Sequence, residues 1–217
     1  MRVKTEEKRQ AIVGVAREVF LKKGYATASM AEISASLGGS KATLYGYFSS
    51  KEQLFAAVIA ELAGAQGWGP LLNELEHAPD FQKALGAFVH KTVRLLCSRD
   101  LINFRRMIIA EGGRSELGKL AYEKGPKPTL ERLADLLAAQ MRLGHLRDAD
   151  PWGMAIHLQG LCMAGLHQQL LEGVIDHASD KQVAAEASVV VDVFLRGYGV
   201  QSGSPGRTRR GQVRKRK

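Results

Sequence analysis

"GGSKATLYGYFSSKEQLF", Gly38 to Phe55, is the stretch on which the reading of this chain turns. Two adjacent glycines stop whatever precedes them. Ser40 can then cap a short helix in which Leu44 and Phe48, four apart, serve as anchors. Ser50-Lys51-Glu52-Gln53 is a capping box, so another helix opens at once. Upstream, Ser29-Met30-Ala31-Glu32 is a second such box. It opens a short helix with Met30, Ile33 and Leu37 on one side. A short helix, a glycine turn and a second short helix make a helix-turn-helix, whose second helix enters the major groove of DNA.

The outward residues of that second helix should be small or hydrogen-bonding, with cations at its edges. Lys41 near its N-terminus can meet a base edge or a phosphate. Ala42 permits close approach and can touch a thymine methyl. Thr43 and Tyr47 can offer hydroxyls to phosphates, and Tyr45 and Gly46 complete the DNA-facing stretch. Ser29 and Ser40 stand at the two helix starts. Lys51 lies in the first turn of the next helix, where free backbone N–H groups also favour a phosphate. Taken singly, a tyrosine here is as readily half-buried packing and a lysine as readily solvated; the constellation is what points to DNA.

Charge agrees with this. The chain of 217 residues carries a formal net charge of +9, and the charge is uneven. Residues 1–55 hold nine Lys/Arg against five Asp/Glu, and residues 202–217 hold seven against none. The middle holds 15 against 17. A basic end on a nearly neutral body fits a polyanion partner. The last sixteen residues, "SGSPGRTRRGQVRKRK", have no apolar face and are expected to be a disordered basic tail. That tail either adds affinity for DNA or serves as a solubilising end. The N-terminus has no apolar signal segment, and no apolar run reaches about 18 residues, so a cytoplasmic protein without a membrane partner is expected. Cys97 and Cys162 read as reduced, buried thiols.

Beyond the opening stretch nearly every segment has a helical period and none alternates as a strand does. The first helix spans about 6–23, and the helix opened by Ser50 ends near Ala65. "AGAQGWGP" (Ala63–Pro70) reads as a helix end and linker. Helices are expected at 80–97, 100–111, 115–124, 129–143, 150–172 and 180–199, with Asp80, Asp100, Ser115, Thr129, Asp150 and Asp180 as N-caps. The fold class is therefore all-α: a three-helix DNA-binding head over residues 1–55, a helical body over 56–201, and the tail over 202–217.

The head resembles the TetR family of bacterial one-component transcriptional regulators. The residues that carry the resemblance are Gly24-Tyr25, Thr27, Ile33, Gly38-Gly39-Ser40 and "KATLYGYFSSKEQL" from Lys41 to Leu54. Three positions depart from the family pattern: Ser34 stands where Ala is usual, Gly39 replaces an apolar residue, and Gly46 lies mid-helix at a cost of about 1 kcal/mol relative to Ala. In the body, residues 104–126 and 144–161 look like the AcrR/AefR-like branch. The resemblance implies a body that binds a ligand and dimerises, and a head that binds a palindromic operator as a homodimer. Repression relieved by a small apolar ligand is the expected mode.

The body's own residues favour a dimer. Val189–Leu195 is apolar on more than one face, so it should be buried on two sides. The helix at 150–172 is rich in small and apolar residues. These two helices from each of two chains would form a four-helix interface. Phe104, Met107, Tyr122, Trp152, His157 and Met163 are candidates to line an inducer cavity, each with plain core packing as its alternative. Arg105 and Glu111 are either a buried pair or solvated. His157, His167 and His177 recur every ten residues, about 1000° of helix rotation, so they share no face and no metal is expected. No cofactor is expected either, since the glycines follow no strand. Two rivals remain: a non-specific or architectural DNA-binding protein, and an all-α enzyme, for which no convergent nucleophile–base pair or carboxylate pair is found.

Overall fold

A computed structural model describes residues 5–200. Among them the chain is helical, with no strand; the sole β feature is an isolated bridge between Leu146 and Gly199. The head is α1 (Glu6–Lys23), α2 (Met30–Ser36), α3 (Lys41–Tyr47) and α4 (Lys51–Ala63). The body is α5 (Gly69–Glu76), α6 (Phe81–Leu96), α7 (Arg99–Glu111), α8 (Leu117–Lys124), α9 (Pro126–Arg142), α10 (Pro151–Met163), α11 (Leu166–Glu172) and α12 (Asp180–Tyr198). The proposed tail, 202–217, lies outside the described residues.

Local chemistry sets the starts of these helices. Ser29 accepts the Glu32 amide at 3.2 Å while the Glu32 carboxylate accepts the Ser29 amide at 3.1 Å, so the expected capping box closes. Ser29→Ala is expected to lower stability by about 1 kcal/mol, read as a shift in the denaturation midpoint at unchanged slope. Asp80 and Asp150 cap α6 and α10 as expected. Four caps fall elsewhere. Ser98 caps α7 in place of Asp100, and Ser179 caps α12 in place of Asp180 through a capping box with Gln182. In both cases a serine stood one or two residues ahead of the acid. The α8 cap is Glu116 and not Ser115, and α9 begins at Pro126 ahead of Thr129. There Pro126 takes the first turn, whose N–H has no intrahelical partner in any case.

Two corrections concern the body. The segment 63–70 is not a plain linker. The chain passes from α4 through a π-helical turn, Gly64–Trp68, straight into α5. The turn needs glycine at 67, where the backbone is non-helical and a Cβ would come within 1.9 Å of the Leu62 carbonyl oxygen. The expected helix at 150–172 is two helices, broken at Ala164–Gly165. The Leu166 N–H donates to Glu186 of α12 at 2.7 Å, and a Cβ at Gly165 would meet that carboxylate at 2.5 Å. A side chain on a distant helix thus ends α10.

The apolar residues gather in two clusters. One joins α5, α6, α9, α10 and α12. The other is the core of the head, but it also takes Phe104 from α7 and Leu117 and Ala121 from α8. Phe55 of α4 sits at its centre, 5.1 Å from Phe20, 5.0 Å from Tyr25 and 5.5 Å from Phe104 in edge-on or tilted pairs. Arg17 of α1 pairs with Asp100 of α7 across the same seam. Helix α4 runs unbroken through position 55, so head and body share a helix and part of a core.

Candidate nucleic-acid interface and body cavity

The turn between α2 and α3 is built from the backbone outward. Gly38 has φ +67°, a left-handed conformation that glycine adopts freely. Ser34, 2% exposed, donates its hydroxyl to the Gly39 carbonyl at 3.0 Å. Two departures from the family pattern thus meet in one hydrogen bond, which pins the turn. Ser40 accepts the Thr43 amide at 3.2 Å, and its hydroxyl lies 3.0 Å from that of Thr43. Leu44 and Phe48 are buried in one cluster with Phe20 and Ile33, and Leu37 packs against it. Anchored so, α3 turns Lys41, Ala42, Tyr45 and Gly46 outward on one face. Tyr45 is 50% exposed. Open space surrounds Gly46, so no packing demands glycine there. Thr43 and Tyr47 flank this face half-buried, and the Tyr47 hydroxyl accepts the Thr5 N–H at 3.0 Å.

Lys51 has a different job from the expected one. Its ammonium donates to the carbonyls of Tyr25, Ala26 and Ala28 at 2.8, 3.3 and 3.0 Å, and lies 4.4 Å from the centroid of the Tyr25 ring. Its three N–H donors are spent inside the protein. Lys51 therefore pins the α1–α2 loop to the start of α4 and does not point a free cation at a phosphate. Beside it the Tyr25 hydroxyl donates to Glu52 at 3.0 Å. Burial, and then the Glu52 carboxylate, push the Tyr25 phenol above its usual range. Glu32 at the start of α2 is held below the usual carboxylate range, first by Lys23 and then by Ser29.

Between head and body lies a cavity of about 140 Å³. Phe104, Tyr122 and Met163 line it, as the sequence suggested. Trp68, Arg105, Gln159 and His167 also line it and were missed as wall residues. Trp68 lay in a glycine-rich stretch read as a linker, and His167 lies past the unforeseen break after α10. Arg105 and Glu111 form no pair. Met107 packs against the head cluster instead. Trp152 and His157 do not reach the cavity: Trp152 is 39% exposed, and His157 stacks on Tyr198 of α12 with 6.0 Å between ring centres. Helix α10 is apolar on two faces, and composition could not say which faces inward.

Residues 12–58 match the family model described as bacterial regulatory proteins of the tetR family. Residues 83–200, more than half the chain, match the C-terminal domain of AefR-like transcriptional repressors. The chain belongs to the TetR family, in its AefR-like branch. A TetR-family regulator from Mesorhizobium loti superposes with TM-score 0.79 at 29% identity, covering 92% of this chain and 100% of that one. The flavonoid-responsive regulator FrrA superposes with TM-score 0.68 at 29% identity, covering 90% and 98%. The activator FasR of Mycolicibacterium smegmatis is 43% identical over 58 residues, 27% of this chain. That match spans only about a quarter of FasR's length.

This TetR-family protein is thus a DNA-binding transcription regulator and not an enzyme. Its outer face has a feature the DNA-reading head does not use. Ile156 on α10 and Val189 and Val193 on α12 are 36%, 61% and 45% exposed, beside Gly160, Ala164 and Gly197. The two thiols are quiet: burial raises Cys97 to about 11 and Cys162 to about 12. Among the described residues no group of three His, Cys, Asp or Glu is placed to hold a metal ion, and no helix is long and apolar enough to cross a membrane.

Proposed function

We propose that this regulator is a homodimeric repressor that works in the cytoplasm. It binds a palindromic operator through two copies of α3 and leaves it when a small molecule enters the body cavity. The observation that carries the reading is the outward face of α3, with Lys41, Ala42, Tyr45 and Gly46 exposed above buried Leu44 and Phe48. Lys41 and Tyr45 reach bases or phosphates, and Ala42 and Gly46 let the groove come close. Thr43, Tyr47, Ser29 and Ser40 sit at the flanks as phosphate contacts or as caps that hold the helix ends. Residues up to about 55 act as the reading head and 56–201 as the sensing and dimerising body.

Dimerisation follows from the apolar face of α10 and α12. Four such helices around a two-fold axis present two α3 helices to half-sites about one DNA turn, roughly 34 Å, apart. Ligand control follows from the cavity's position. Trp68 in its wall belongs to the π-helical turn that continues α4, and α4 carries Phe55 into the head core. A ligand that fits better in one disposition of α4 shifts the spacing of the two heads. The name of FrrA records a response to flavonoids, which supports a small-molecule sensor. FasR is described as an activator, but its match is confined to the head and leaves the sign of regulation to experiment.

A footprint on the promoter beside the gene tests the reading. Protection of a palindrome is expected at a salt concentration that abolishes binding to random duplex. Equal affinity for random DNA would establish the non-specific binder instead. Lys41→Ala and Tyr45→Ala are each expected to weaken operator binding by roughly tenfold while the dimer persists, checked by gel shift and sedimentation.

A further inference from the structure

The cavity has a polar corner that its apolar walls do not explain. Arg105 lines it, and among the described residues no acidic side chain pairs with its guanidinium; no carboxylate lines the cavity at all. Burial alone lowers the Arg105 pKa from its ordinary value. His167 lines the same cavity and is 1% exposed. Its Nδ1 lies 3.0 Å from the Leu96 carbonyl oxygen, which can only accept, so Nδ1 carries the proton. The neutral ring then offers Nε2 as an acceptor, and Nε2 is buried with no partner. Burial, and behind it the charge of Arg105, hold this imidazole below its ordinary value and so neutral. The Leu96 carbonyl pulls the other way, but less than burial does.

One acceptor and one cationic donor thus converge on a cavity that is otherwise apolar. We infer that the cavity takes a phenol: one aromatic ring whose hydroxyl donates to Nε2 of His167 and accepts from the guanidinium of Arg105. A single hydroxyl satisfies both groups at once. A carboxylate would answer Arg105 but set its lone pairs against that of Nε2. A hydrocarbon would leave both polar groups buried and unpaired. Size agrees: an apolar cavity of about 150 Å³ accepts one benzene ring, and this one has about 140 Å³. The inference rests on the reading of this cavity as the ligand site.

Calorimetry on the full chain without DNA tests it, with 4-methylphenol, toluene and benzoate as probes. 4-Methylphenol is expected to bind at least roughly tenfold more tightly than either other probe. Arg105→Met is expected to erase that preference. Nitrogen NMR of the His167 ring supplies a readout that does not depend on a variant folding: 4-methylphenol should shift Nε2 and leave Nδ1 in place. Toluene binding as tightly as 4-methylphenol would overturn the inference. So would tighter binding of benzoate, an unmoved Nε2, an unaltered preference in Arg105→Met, or no binding of any probe. Operator release is scored separately by gel shift. 4-Methylphenol that binds as expected but leaves the operator occupied would sink the release mechanism and leave the phenol site standing.

Discussion

Val193→Asp is expected to make the protein a monomer that no longer holds its operator. Val193 is 45% exposed on α12 beside Val189 at 61%, and Ile156 of α10 borders the same shallow depression. A contiguous apolar patch of this kind marks a partner surface. On a two-fold axis one substitution enters the interface twice, so two carboxylates would be buried without cations. Since the side chain is exposed within one chain, the monomer's own stability should change by no more than about 0.5 kcal/mol. Losing the dimer removes the second half-site's contribution, roughly 10²–10⁴-fold in avidity. Sedimentation at micromolar concentration and a gel shift on the palindrome read both effects, with a melting curve as control. A variant that stays dimeric and binds DNA like the wild type would refute the α10–α12 interface.

Lys51→Met separates two roles that the sequence alone confuses. A lysine bound to phosphate would, when lost, lower the salt slope of binding by about 0.9. A lysine spent on the carbonyls of Tyr25, Ala26 and Ala28 should leave that slope unchanged. Its loss should instead destabilise the head by about 1.5–3 kcal/mol, since charged donors to buried carbonyls are worth that much. Methionine keeps the length and apolar bulk of the stem, so the effect isolates the ammonium. Denaturant melts and binding isotherms across a salt series decide between the two. An unchanged midpoint with a reduced slope would return Lys51 to the DNA surface.

Much of the head was legible because its signals are local. Ser29 with Glu32, Gly38 at the turn, and Leu44 with Phe48 each act over three to five residues, the range in which capping and helical periodicity operate. Departures from the family pattern were legible only as oddities. Ser34 and Gly39 looked like loosening until the Ser34 hydroxyl was found on the Gly39 carbonyl. The body was read less well. Its apolar helices had the right period, yet α5 was hidden by Gly64, Gly67 and Gly69, and α10 ended where Glu186 reached Leu166 from 20 residues away.

By itself the sequence determined an all-helical chain with a helix-turn-helix head, its caps, its turn and its family, because each is written in neighbouring residues. Tertiary structure decided which groups are spent and which are free. Lys51 turned inward because the loop after α1 brought three carbonyls to it. Trp152 and His157 turned outward while Arg105 and His167, 62 positions apart, came to one cavity. Periodicity names the faces of a helix but not what each face meets. That depends on packing between segments far apart in the chain, where no local rule ranks one partner above another.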